Sequence, residues 1–159
     1  MKNLLNFSLS LLILLSVTAC NTRSPYETWK EAAKTNIRLL PKYGLAKKSP
    51  GQLQADQEFI KTVVKQFGSA AKASQAHVKF GFQYLNEGNL QTSMYRFNQA
   101  WLLNPENPDV YWGFGAVYFK FQDYYKAVLQ YDEGLQINPK HEGILKDRTE
   151  ALRLTKKAF

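Results

Sequence analysis

Apolar and polar positions divide the chain into one nearly unbroken apolar run and a series of periodic ones. The unbroken run is Leu4–Val17, interrupted by Asn6, Ser8, Ser10 and Ser16. Everything after it follows helical spacing. Ser24-Pro25-Tyr26-Glu27 has the cap, proline and early acid of a helix start, and the pattern predicts a helix to Leu40, stopped by Pro41. Pro41 to Gly51 reads as a loop. Ser49-Pro50 opens a second amphipathic helix with Leu53, Phe59, Ile60, Val63, Val64 and Phe67 on one face, closed by Gly68. Ser69 caps the next helix. At the other end, Ile144, Leu145, Leu152 and Leu154 alternate with Lys146, Asp147, Arg148, Glu150 and Arg153, which predicts a capping helix over 142–159. Lys156 and Lys157 suit the negative end of that helix.

Between these flanks the chain repeats itself. FGFQYLNEGNL at Phe80–Leu90 returns as FGAVYFKFQDY at Phe114–Tyr124. Residues 74–107 and 108–141 align without a gap. His77 falls on Tyr111, Phe80 on Phe114, Gly81 on Gly115, Tyr84 on Tyr118, Ser93 on Ala127, Phe97 on Tyr131 and Ala100 on Gly134. Asn104-Pro105 falls on Asn138-Pro139, and a residue before proline disfavours helical dihedrals, so both mark helix ends. Asn89 and Asp123 mark turns inside each copy. A glycine inside a helix costs about 1 kcal/mol against alanine, so Gly81 and Gly115 predict close approach of a neighbour.

This register resembles the tetratricopeptide repeat, two antiparallel helices in 34 residues. The resemblance implies an all-α fold, an α-solenoid of helix pairs, with residues 25–73 as an N-terminal helical region that docks on the first copy. It also implies a concave groove for a protein partner, lined by Val78, Lys79, Phe82, Leu85 and Asn86 from the first copy. The second copy adds Asp109, Trp112, Gly113, Ala116, Phe119 and Lys120. The family's clamp for a terminal carboxylate wants Lys and Asn where Val78 and Phe82 stand, so that clamp is absent and the groove is apolar. Trp112 and Phe119 are its expected anchors, because aromatics dominate interface energetics. Burial of the groove under the N-terminal helices or the C-terminal cap remains open at this point.

The apolar run follows Lys2, and a positive start with a short apolar core is the shape of a secretory signal. A spanning helix needs about 20 apolar residues, more than this run holds. Val17-Thr18-Ala19-Cys20 then resembles the bacterial lipobox. That implies cleavage of residues 1–19, acylation of Cys20, and a tether over 20–24. Two or three acyl chains hold a protein on a membrane essentially permanently, since each buried CH₂ contributes about 0.8 kcal/mol. Asn21 is not the aspartate that retains such proteins at the inner membrane, which favours the periplasmic leaflet of the outer membrane.

Composition narrows the chemistry. With 45% hydrophobic and 21% charged residues the 159-residue chain is a folding one. Its single cysteine excludes an internal disulfide, and His77 and His141 lack partners at ligand spacing, so no metal is expected. No phosphate-binding glycine loop and no nucleophile elbow appears. The carboxylate pairs Glu27/Glu31 and Asp132/Glu133 sit on helix faces with no pocket to join. The expectation is a non-enzyme without cofactor. Charge is uneven: Lys34, Arg38, Lys42, Lys47 and Lys48 form a run without an acid. A basic surface beside a lipid anchor attracts anionic headgroups at about 1 kcal/mol per residue; it equally suits an acidic wall polymer, or serves as a solvated face. Nucleic acid is excluded for an exported chain. The leading expectation is a tethered adaptor that binds an envelope protein in assembly or localisation of a larger complex. The alternative is a binder of wall polymer or anionic lipid through the basic half.

Overall fold

A computed structural model describes residues 23–157, and among them every regular element is helical, in the all-α class expected. Seven α-helices follow in order: α1 Pro25–Ala33, α2 Pro50–Phe67, α3 Ala70–Asn86, α4 Leu90–Leu103, α5 Pro108–Lys120, α6 Tyr124–Ile137 and α7 Glu142–Thr155. None of the described helices is long and apolar enough to cross a membrane. The leader and Cys20 lie outside the described residues.

The doubled phrase folds twice into the same hairpin. Helices α4 and α6 start at Leu90 and Tyr124 and end at Leu103 and Ile137, 34 residues apart at both ends. The turns repeat bond by bond. Asn89 N donates to Tyr84 O, and Asp123 N to Tyr118 O. Asn107 N donates to Asn104 O, and His141 N to Asn138 O. Asn89 and Asp123 cap the second helices with their side chains, satisfying backbone N–H groups that would otherwise have no partner. Helix α7 continues the register, because Glu142 stands 34 residues after Pro108.

The mid-helix glycines mark where aromatic rings enter. The fully buried Phe97 ring of α4 lies against Gly81 on α3 and Gly113 on α5, and a Cβ at either glycine would penetrate it. Tyr131 of α6 lies against Gly115 in the same way. Burying such a ring contributes about 1.5–3 kcal/mol, more than the glycines cost in helix propensity. Ser93 Oγ donates to the Gly81 carbonyl at 2.9 Å, tying α4 to α3 at that crossing. Helix α2 covers the outer side of the first pair, with Phe59, Ile60, Val63, Val64 and Phe67 against Ala73 and Leu103. It opens on a Ser49–Gln52 capping box and ends on Gly68 in the left-handed region.

The N-terminal segment departs from the expected pattern. Its first helix stops at Ala33 rather than Leu40. Asn36 caps a new 3-10 turn at Ile37–Leu39 with its own side chain, a competing bond that a helix interior does not offer. The buried Asn98 of α4 then receives the segment: its Nδ2 donates to the carbonyls of Arg38 and Leu40 at 2.8 and 2.9 Å, and its Oδ1 accepts from Tyr43 N. The expected loop from Pro41 begins as a left-handed turn, with φ of 55° at Lys42, 56° at Tyr43, 64° at Gly44 and 52° at Leu45. Each non-glycine there costs roughly 1–2 kcal/mol. The tertiary bonds to Asn98 and an ion pair from Lys42 to Glu133 hold it in place.

Candidate binding groove

Six of the ten expected groove residues line one cavity of about 260 Å³: Phe82, Leu85 and Asn86 from α3, and Ala116, Phe119 and Lys120 from α5. Asp147 and Glu150 of α7 form the facing wall, and Tyr131 of α6 reaches the cavity from below. The lining is apolar between polar ends. Phe82, Ala116 and Phe119 are half-buried, and Asn86 and Lys120 are exposed.

The other four positions are elsewhere. Val78 is buried core, and Lys79 is exposed away from the cavity. Asp109 accepts a hydrogen bond from His141 Nε2 at 2.8 Å, while His141 Nδ1 accepts from Ile144 N, so this pair builds the α7 cap. Trp112 is not the open anchor expected. Its Nε1 donates to Asp147 Oδ2 at 2.7 Å, its ring packs on Phe82 at 4.8 Å between centroids, and Gly143 of α7 leaves room for it. Helix α7 thus claims Trp112 and, through the same bond, sets the cavity's far wall. The N-terminal segment does not cover the groove. It lies on α4 and α6, where Asn36 donates to Tyr95 Oη at 2.8 Å and Lys42 pairs with Glu133.

Register reading left Tyr131, Asp147 and Glu150 out of the groove. Tyr131 is fully buried, yet its hydroxyl has no hydrogen-bond partner among the described residues. Burial, and the Asp147 carboxylate after it, raise its pKa above the usual tyrosine value, so the group stays a donor. Asp147 spends one oxygen on Trp112, and Glu150 is paired with Arg153. One signal was present in the sequence. Phe82 is followed at the 34-residue offset by Ala116, and Gly113 by Asp147. Phe82 lies edge-on to Phe97 at 5.1 Å between centroids. The small Ala116 leaves Tyr131 without such a lid, and the cavity is that gap.

The basic run does not form one free patch. Lys34 pairs with Glu31, Lys42 with Glu133 and Lys48 with Asp56. Arg38 stacks on the Tyr95 ring, 4.0 Å from its centroid, and Lys48 lies over Tyr43. Lys47 is exposed and makes no ion pair among the described residues. Surface pairs of this kind contribute little to stability, but they remove the acid-free field that the sequence suggests.

His77 is buried among Phe59, Phe67 and Phe80, with Nδ1 donating to the Ala73 carbonyl at 2.9 Å. Burial holds its pKa below the ordinary 6.5. Among the described residues no group of three or more His, Cys, Asp or Glu side chains could hold a metal ion. Comparison with family models and with curated proteins returns no match for this chain.

Proposed function

We propose that the chain is a tetratricopeptide-like lipoprotein of a bacterial envelope. In this reading Cys20 carries the lipid anchor, in the periplasmic leaflet of the outer membrane. The groove between α3, α5 and α7 takes a segment of a protein partner, so the chain acts as an adaptor in assembly or localisation of an envelope complex rather than as an enzyme. One observation carries this: the half-buried Phe82, Ala116 and Phe119 share an uncovered cavity with charged residues at its rim, the mixture that peptide-binding grooves need. The alternative reading, through the basic half, loses most of its surface to the ion pairs of Lys34, Lys42 and Lys48.

A photo-crosslinker at Asn86 in intact cells tests the groove. The expected result is an adduct to a defined envelope protein that disappears when Ala116→Phe fills the cavity, while a crosslinker at Lys47 gives none. Adducts from Lys47 with none from Asn86 would move the binding site to the basic half and sink the groove.

A further inference from the structure

A buried hydroxyl without a partner is costly, and native structures rarely keep one without a use. Tyr131 is such a case, and it lies at a cavity rather than inside sealed core. Its counterpart in the first copy is Phe97, which fills the equivalent space with no polar atom. Packing alone would therefore be served by phenylalanine. The remaining charged groups of the lining are one ammonium, Lys120, against two carboxylates, Asp147 and Glu150, so the cavity complements a basic side chain on its α7 side.

We infer that Tyr131 is the groove's hydrogen-bond donor to its ligand, and that the ligand is an extended, apolar peptide segment with a basic residue beside it. The reasoning rests on the groove assignment above. A donor beneath an apolar cavity needs an acceptor that arrives unsatisfied. The carbonyls on the flank of a helix already accept within the helix, whereas those of an extended strand are free. An apolar side chain between Phe82 and Phe119 fills the space over Ala116, the segment's carbonyl accepts from Tyr131 Oη, and its Lys or Arg faces Asp147 and Glu150. Tyr131 thus determines specificity for backbone conformation, a choice that the apolar walls alone do not make.

The test uses the full, processed chain in lipid nanodiscs and the probe acetyl-Phe-Val-Lys-amide, with acetyl-Phe-Val-Glu-amide as comparator. Binding is followed by ligand-observed NMR, and the unfolding temperature of the free protein is measured alongside. Tyr131→Phe should bind the lysine probe about three- to tenfold more weakly, the factor that one neutral hydrogen bond carries. The same variant, free of ligand, should unfold at a higher temperature, because an unsatisfied hydroxyl has been removed. The glutamate probe should bind wild type more weakly than the lysine probe. Ala116→Phe should abolish binding of both. Equal binding by wild type and Tyr131→Phe overturns this inference and leaves the groove assignment standing. A Tyr131→Phe protein that unfolds at a lower temperature overturns it too, since the hydroxyl would then be serving the fold. Failure of both probes to bind wild type overturns the groove assignment and this inference with it.

Discussion

The two hairpins are built to one plan and finished differently. In the first, Phe97 enters between Gly81 and Gly113 and lies against Phe82, and every polar group around it has a partner in Ser93 or the helix backbone. In the second, Tyr131 enters against Gly115, but Asp147 stands where the first hairpin has Gly113, and Ala116 where it has Phe82. The first hairpin is closed and the second is open. What repeats specifies how helices pack. What fails to repeat leaves a cavity, an uncapped ring and a hydroxyl without a partner. The departures from the register are therefore the place to look for a site, and the matches are the place to look for stability.

Substitutions can break or sharpen that contrast. The largest loss is expected from Phe97→Ala, which empties the space shared by three helices and should cost about 3–5 kcal/mol in a denaturant melt. Gly113→Ala comes next. Helix propensity favours alanine by about 1 kcal/mol, but its Cβ collides with the buried Phe97 ring, and overpacking of this kind costs roughly 1–3 kcal/mol. A stabilised Gly113→Ala would show that the ring can move aside and that the first hairpin is not closed. Gln122→Gly tests the turns. Gln122 holds φ of 62° where the first copy has Gly88 at 78°, so glycine should stabilise by about 0.5–1 kcal/mol in the same melt. The smallest effect is the pH response of the first hairpin. His77 has a lowered pKa when folded and the usual value when unfolded. The native state then binds fewer protons, so this stability is fully present above pH 6.5 and lost as pH falls through the lowered value. His77→Gln should flatten that slope between neutral and mildly acidic pH, and an unchanged slope would place the acid response elsewhere.

Much of the packing was legible because local chemistry and register agree. Ser49-Pro50 and Gly68 bound α2, and Asn89, Asp123, Asn104 and Asn138 bound the second helices, each through bonds made within a few residues. What stayed hidden depends on distant partners. Helix α1 ends early, and the chain from Arg38 to Tyr43 is then held by Asn98, a residue about sixty positions away. No local rule predicts three successive left-handed residues before Leu45, and their cost is tolerable only against that background. Lys42 reads as free charge until Glu133 is brought beside it. Trp112 reads as an anchor until α7 supplies Asp147. The cavity itself was half visible: six of its residues follow from the register, but α7 had to be counted as another first helix before Asp147 could be set against Gly113.

Asn98 also orders events in time. Its side chain becomes a receptor for Arg38, Leu40 and Tyr43 only once α4 exists and is seated on α3, and the loop that must close between them spans more than fifty residues. Closing such a loop is entropically costly, so it gains most after the partner surface has formed. The segment made first is then among the last to settle. For a chain whose beginning is occupied with crossing a membrane and acquiring a lipid, that delay is useful: the helical body can assemble while its leading end is still being processed, and the N-terminal strap locks down afterwards.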